Sequence, residues 1–207
     1  MPEYKLYYFE ARGRAEMIRY IFHATDTPFE DIHVSREEWP NMKPNTITGQ
    51  MPYITIDGKQ LAQSVAICRY LAREKGLAGQ SSYEMALADM YVDGISDLFN
   101  AYRPVIMAAL QGNEDAKKKA YDEFKNGALK EFLVRYETFL ADNGGEYFVG
   151  KGLTWADLWV AEILDRMMKT TDPDVVKDFP KLAAHCTKIH AIPGLAKYIS
   201  SRKDFKF

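Results

Sequence analysis

The chain has 207 residues, and its 27 lysine and arginine side chains nearly balance 29 aspartates and glutamates, for a net charge of -2. Its hydrophobic share of 47% and charged share of 27% are typical of folded globular proteins. A near-neutral surface lacks the basic field that binds a phosphate backbone, which argues against nucleic acid as the main partner. The length is enough for two small domains, each with its own core.

The N-terminus and the cysteines predict a cytoplasmic protein. No basic stretch leads into an apolar segment after Met1, and no run approaches the roughly 18 apolar residues of a membrane span. Cys68 and Cys186 lie far apart and form no dithiol or zinc-ligand spacing. We therefore expect a reducing compartment, no membrane association and no metal.

The first eighty residues alternate short apolar runs with amphipathic ones, which predicts an α/β domain. Strands are expected over 4–9 and 29–34, with a helix over 14–24 between them. An Asp-Gly pair at 57–58, flanked by apolar residues, predicts a β-hairpin. Residues 64–74 follow with the spacing of a helix.

Beyond residue 80 the strand signals almost vanish, and the glycine-flanked turn at 76–80 predicts a domain boundary. We predict an α/β domain over 1–79 and an all-helical domain over 80–207. Apolar spacing, a capping box at Thr154 and Asp157, and prolines at helix starts predict helices over 82–111, 115–141, 154–168, 179–190 and 192–200. Pro104 is expected to bend the first of them.

Several motifs, in order along nearly the whole chain, resemble one enzyme family. They are Tyr7-Tyr8-Phe9 ahead of Arg12-Gly13-Arg14, Glu38-Trp39-Pro40, Gly49-Gln50-Met51-Pro52, Leu61-Ala62-Gln63-Ser64 and Leu153-Thr154-Trp155-Ala156-Asp157. The chain resembles cytosolic glutathione transferases of the sigma type, which include prostaglandin D synthases and helminth and arthropod transferases. The resemblance implies a thioredoxin-like N-terminal domain, an all-helical C-terminal domain, a homodimer and glutathione as co-substrate.

Tyr8 is the residue that the resemblance makes catalytic. A free thiol has a pKa of about 8.5, so only a few per cent of the thiol groups are ionised to thiolate at neutral pH. A hydrogen bond from the Tyr8 hydroxyl to glutathione sulfur would favour the thiolate, whereas strand alternation places Tyr7 on the opposite face. Arg14 would add positive charge beside the sulfur, or would form a surface ion pair with Glu10 or Glu16.

The resemblance also implies how glutathione is held. Gln50 leads into a cis-proline turn at Met51 and Pro52, whose backbone would pair with the cysteinyl part. Gln63 and Ser64 open a helix whose amides would receive the γ-glutamyl carboxylate, although an ordinary N-cap has the same sequence.

Three further positions complete the implied glutathione site. Trp39 and Lys43 would hold the glycyl end, with Lys43 meeting its carboxylate. Asp97 would reach across the dimer to the glutathione amine bound by the partner. Without the resemblance, these residues are a surface aromatic, a solvated cation and a solvent-facing helix aspartate.

An apolar cleft is expected to hold the second substrate. Its walls are expected to come from Phe9, Gly13, Phe99, Tyr102, Ile106, Trp159, Ile163 and Phe207, although most such side chains taken singly belong to a core. Tyr102-Arg103-Pro104-Val105 replaces a stretch that carries a tryptophan in the vertebrate prostaglandin isomerase. One carboxylate of that enzyme's metal site is also missing at Asp93, Ser96 and Asp97, so we predict no metal.

These features predict an enzyme that conjugates the glutathione thiolate to electrophilic hydrophobic small molecules, a detoxification reaction. One alternative is isomerisation of prostaglandin H2 to D2. Another is a ligandin that binds haem or other apolar ligands without catalysis. A lens-crystallin role is disfavoured because the helical domain lacks the long insertion found there, and a glutaredoxin-like role because residues 10–14 contain no cysteine.

Overall fold

The computed structural model describes residues 2–203, and these form two compact units. One unit takes in the chain up to Ala78 and again from His190 onward, and the other covers Gly79–Ile189. A thioredoxin-like α/β domain and a helical domain are the fold that the sequence predicted. The units differ from the predicted domains, 1–79 and 80–207, in that the last helix packs with the α/β unit.

The α/β unit is built on a mixed sheet that has four strands among the described residues, in the order β2-β1-β3-β4. The strands are β1 (Tyr4–Tyr8), β2 (Glu30–His33), β3 (Tyr53–Ile56) and β4 (Lys59–Ala62). β1 is parallel to β2 and antiparallel to β3, which pairs antiparallel with β4. As a result, the end of β1, the start of β3 and the end of β4 lie at one edge of the sheet.

The predicted hairpin is present between β3 and β4. Asp57 and Gly58 both have positive φ, at 48° and 81°. Positive φ at both central residues is the geometry of the tight turn that suits the twist of a hairpin, and Asp-Gly adopts it readily.

The α/β unit includes the helices α1 (Glu16–Ala24), α2 (Trp39–Met42), α3 (Ser64–Glu74) and α9 (Pro193–Ser201). The apolar face of α1 is completely buried at Ile18, Ile21 and Phe22. α1 packs against α3 and also against α9. The contact with α9 is close, since a Cβ at Gly194 would lie 2.2 Å from the carbonyl oxygen of His23.

The second unit is helical, with α4 (Ser82–Leu110), α5 (Glu114–Phe124), α6 (Lys130–Asp142), α7 (Trp155–Thr170) and α8 (Pro180–His190). The single helix predicted over 115–141 is interrupted by a π-helical segment at Lys125–Leu129. Gly127 has φ -108° and ψ -107° there, a conformation outside the helical region. Glycine has no Cβ to oppose this distortion, and its low helix propensity marks the break.

The capping box at the start of α7 is present, with Asp157 fully buried. Its carboxylate accepts hydrogen bonds from the backbone N–H groups of Thr154 and Phe148, each at 2.8 Å. Asp157 therefore joins the helix start to the preceding loop. None of the described helices has the length and apolar character needed to cross a membrane.

Candidate active site

The sheet brings three predicted site segments to one edge. Tyr8 is the last residue of β1, and the pairing of Tyr7 with Tyr53 places it next to the start of β3. The Met51–Pro52 peptide bond, which is cis, immediately precedes β3. Tyr53 also pairs with Ala62 of β4, so residues 63 and 64 emerge at the same edge.

The hydroxyl of Tyr8 has a defined donor. It accepts a hydrogen bond of 3.2 Å from the backbone N–H of Arg14. A phenol that accepts through oxygen still has its own hydrogen to donate. Tyr8 is partly exposed, and its ring lies 5.8 Å from the Phe9 ring.

Gly13 is required for this arrangement on two grounds. Its φ is +43°, in the left-handed region that favours glycine. A Cβ at this position would lie 2.3 Å from the Tyr8 hydroxyl oxygen. Any side chain at residue 13 would therefore displace the phenol.

Tyr7 points to the other face of β1. Its ring stacks on Tyr53 with centroids 4.5 Å apart and planes at 7°. This contact agrees with strand alternation and gives Tyr7 a packing role.

A buried charged cluster lies behind the turn that links Tyr8 to α1. Glu16 is 0% exposed, and its carboxylate receives hydrogen bonds from Arg19, Arg202 and Tyr198. Sequence reasoning considered Glu16 only as a surface partner of Arg14. The 3- and 4-residue spacings to Arg19 and Arg12 were available as a signal, whereas Arg202 lies 186 residues away and has no local signature.

The segment that carries Trp39 and Lys43 begins with a reciprocal cap. The Ser35 N–H donates to the Glu38 carboxylate at 3.0 Å, and the Glu38 N–H donates to the Ser35 hydroxyl at 3.1 Å. These hydrogen bonds hold the pKa of Glu38 below its usual value. Trp39 is partly buried and meets Phe9 edge-on at 6.3 Å.

Lys43 is exposed and starts the 3-10 turn at Lys43–Asn45. Its aliphatic stem passes Gly49, where a Cβ would lie 3.7 Å from Lys43 Cε. The lysine therefore lies beside the backbone that leads into Gln50, which is itself exposed.

The start of α3 has the features of an anion site. Gln63 precedes the helix with φ +71°, a conformation that non-glycine residues seldom adopt. Ser64 follows as the first helical residue and is 9% exposed. The amides of a first helical turn have no acceptor within the helix, and the helix dipole favours negative charge there.

The helical unit contains the remaining predicted side chains of the described range. Asp97 is exposed on α4. Phe99, Ile106 and Trp159 are partly exposed, whereas Tyr102 and Ile163 are buried, at 1% and 0% exposure. The Tyr102 hydroxyl is hydrogen-bonded to the hydroxyls of Thr170 and Thr171. Their burial favours a core role for Tyr102 and Ile163 over contact with the second substrate. Phe207 lies outside the described residues.

The chain's own thiols are unsuited to nucleophilic chemistry. Cys68 and Cys186 are free and buried, and burial raises the pKa of both, that of Cys186 to about 12. Among residues 2–203, no group of three or more His, Cys, Asp or Glu side chains is arranged to hold a metal ion.

Comparison with known proteins identifies the family. Residues 4–73 match the family model for the N-terminal domain of glutathione S-transferase, and residues 97–202 match the model for its C-terminal domain. Glutathione S-transferase 4 of Caenorhabditis elegans is 41% identical, with 99% of each chain covered, and hematopoietic prostaglandin D synthase of Gallus gallus is 38% identical, with 98% covered.

A solved structure is similarly close. The monomeric glutathione S-transferase of the hookworm Necator americanus superposes with a TM-score of 0.93 at 39% identity, covering 99% of this chain and 100% of the other. Both halves of the sequence, the fold and the relatives agree, so this chain belongs to the glutathione S-transferase family of enzymes.

Proposed function

We propose that the edge of the sheet binds glutathione and that Tyr8 stabilises its thiolate for attack on hydrophobic electrophiles. The observation that carries the proposal is the Tyr8 hydroxyl itself, which accepts the Arg14 N–H at 3.2 Å and keeps its hydrogen for the sulfur. Accepting that bond also polarises the phenol and strengthens it as a donor.

The energy required is modest. Lowering the thiol pKa by one unit needs about 1.4 kcal/mol of differential stabilisation of the thiolate. Hydrogen bonds to charged groups contribute about 1.5–3 kcal/mol. One phenol therefore supplies enough to bring an ordinary thiol pKa of about 8.5 close to neutrality.

Substitution of the phenol tests this proposal. Tyr8→Phe should leave glutathione affinity largely unchanged and lower kcat/KM with a chlorinated aromatic acceptor about tenfold or more, or about 1.4 kcal/mol. The thiolate absorbance of the glutathione complex at neutral pH should fall in parallel.

Tyr7→Phe is the matched control, since it removes the neighbouring hydroxyl from the opposite face of β1. Its turnover and thiolate absorbance should match wild type. Full activity in Tyr8→Phe would remove the phenol from the mechanism.

The other contacts of the tripeptide follow from the same edge. Arg14 adds positive charge near the sulfur, the Met51 backbone beside Pro52 pairs with the cysteinyl part, and the first turn of α3 at Gln63 and Ser64 receives the γ-glutamyl carboxylate. Trp39 and Lys43 hold the glycyl end, and Gln50 is a further glutathione-binding residue. Support comes from the exposed, Gly49-packed position of Lys43 and from the helix N-terminus.

A homodimer with a shared site is a further part of the proposal. Asp97 lines a groove of about 460 Å³ on α4 and α6, together with Met90 and Arg135. Met90, one of the residues that line the groove, is 49% exposed. A second copy would cover this groove and bring Asp97 to the glutathione amine of its partner. The hookworm relative, which is described as monomeric, argues against a dimer.

The chicken relative keeps prostaglandin H2 isomerisation as the second candidate function. Against it stands the stretch from Tyr102 to Val105, which lacks the tryptophan of the vertebrate enzyme.

We assign the chain to the sigma type because of its motifs. We assign it a cytoplasmic, detoxifying role because its cysteines are free and buried and because of the reaction proposed for it. An acceptor panel containing prostaglandin H2, a lipid hydroperoxide, an alkenal and haem would separate conjugation, isomerisation and ligand storage.

A further inference from the structure

The carboxylate of Glu16 is fully buried at the first residue of α1 and has partners on all sides. Arg202 Nη1 donates to Oε1 at 2.7 Å, and Arg19 Nη1 donates to Oε2 at 3.2 Å. Arg12 Nε lies 3.8 Å from Oε1, and the Tyr198 hydroxyl donates to Oε2 at 3.0 Å. Such partners are needed because an unpaired buried charge is strongly destabilising.

Two of these partners come from the other end of the chain. Tyr198 lies on α9 and Arg202 directly follows it, 182 and 186 residues from Glu16. Arg202 also donates to the Tyr20 hydroxyl of α1 at 3.3 Å. The carboxylate therefore ties the C-terminal helix to the first turn of α1.

The same cluster holds the turn that precedes α1. Arg19 Nη1 donates to the Ala11 carbonyl at 2.9 Å, and the Glu16 N–H donates to the Arg12 carbonyl at 3.0 Å. Arg14, between these anchors, carries the N–H that meets Tyr8. That bond is already 3.2 Å long, so a displacement of about half an ångström would nearly abolish it.

We propose that Tyr198 and Arg202 are positioning residues for the reaction, because through Glu16 they fix the turn whose Arg14 amide polarises the Tyr8 phenol. The inference rests on the proposed role of Tyr8. It assigns the C-terminal helix a part in activating the thiol, beyond its packing on α1.

Tyr198→Phe tests the inference with minimal disturbance, since it removes one hydroxyl and keeps the ring. The thiol of bound glutathione should titrate about half a unit higher or more, and turnover at pH values well below the thiol pKa should fall about threefold or more and recover as the pH rises. KM for glutathione should change by less than about twofold, because the groups that bind the peptide are untouched. The readouts are a pH titration of thiolate absorbance and a pH profile of kcat.

A control variant and a second test variant accompany Tyr198→Phe. Tyr83→Phe removes the hydroxyl of an exposed tyrosine and should match wild type throughout. Arg202→Lys keeps the charge and loses the planar fork, so it should shift the thiol titration in the same direction as Tyr198→Phe.

Tyr8→Phe, measured alongside, separates the two possible failures. An unchanged thiol titration in Tyr8→Phe would remove the proposed function itself. A large shift in Tyr8→Phe, with wild-type titration in folded Tyr198→Phe and Arg202→Lys, would overturn the positioning role alone. A lower Tm in the last two variants without any shift of the thiol titration would also overturn it.

Discussion

Tyr8 and Gly13 depend on each other at the site. The phenol occupies space that a side chain at residue 13 would need, since a Cβ there would lie 2.3 Å from its oxygen. The positive φ of Gly13 turns the chain so that the next amide, that of Arg14, faces the hydroxyl. One glycine thus provides both the space and the backbone conformation for the hydrogen bond.

We expect Gly13→Ala to lower kcat/KM about tenfold or more, because the new methyl group pushes the phenol away from the sulfur. Left-handed backbone should also cost stability, about 1–3 kcal/mol. Gly58→Ala is the control, with a φ of +81° and nothing within 4 Å of its Cβ. It should share the loss of stability and keep full activity; equal activity in both variants would contradict the contact.

His23 gives the α/β unit a pH dependence. Its ring stacks on Tyr198 at 4.2 Å and meets Phe29 edge-on, and burial lowers the pKa of His23 below its ordinary value of 6.5. The unfolded chain therefore takes up the proton first as the pH falls. The stabilising contribution is complete above about pH 6.5 and is lost as the pH falls from there to the folded-state pKa.

His23→Gln should therefore flatten the fall of Tm between about pH 7 and pH 5. The comparison at about pH 8, where the ring is neutral in both states, isolates the loss of packing from the loss of pH dependence. Thermal unfolding across this range measures both. Parallel Tm profiles for the variant and wild type would show that His23 does not contribute.

Among the secondary-structure elements, α9 is the one whose position most affects the contacts of α1. It belongs to the α/β unit although more than a hundred residues of helical unit separate it from α3. Its first turn lies against the end of α1, where Gly194 approaches the His23 carbonyl. Its last turn carries Tyr198 toward Glu16. The helix therefore contacts both ends of α1.

Gly194→Ala should displace α9 from α1, since the new Cβ would lie 2.2 Å from a backbone oxygen that cannot rotate away. Overpacking of this kind costs about 1–3 kcal/mol of unfolding free energy, which denaturant titration would measure. Gly152→Ala, with no atom within 4 Å of its Cβ, is the control. Wild-type stability in Gly194→Ala would show that α9 does not approach α1 this closely.

At the scale of the whole molecule, the proposed homodimer would join two copies through the groove on α4 and α6. The groove on α4 and α6 joins an exposed methionine to charged side chains, a mixture suited to a partner surface with an apolar centre and a polar rim. If a second copy covers it, the glutathione site is complete only in the dimer.

Met90→Lys should then convert a dimer to monomers, because burying an unpaired ammonium is costly. Glutathione affinity should fall with dissociation, as Asp97 of the partner is lost. Sedimentation velocity and calorimetry measure the two effects. Leu110→Lys, at an exposed site on the same helix outside the groove, should leave both unchanged. A monomeric wild-type protein would contradict the shared site.

Local sequence was enough to predict what depends on a few neighbouring residues. The Asp57-Gly58 hairpin and the capping box at Thr154 and Asp157 follow from backbone preferences within four residues. Alternation along β1 separated Tyr8 from Tyr7, and ordered motifs predicted the family. The exception is the break at Gly127, where the periodic pattern of 115–141 outweighed the weak signal of one glycine.

Tertiary structure decided what joins residues far apart in the chain. The burial of Glu16 among Arg12, Arg19 and Arg202, the position of α9 on α1 and the core position of Tyr102 depend on which surfaces pack together. Helical spacing identifies a buried face, but it does not specify its partner, because the hydrophobic effect is non-directional. The proposed role of Tyr8 therefore rests on its motif, whereas the contacts that support its hydrogen bond with Arg14 became visible only in the folded chain.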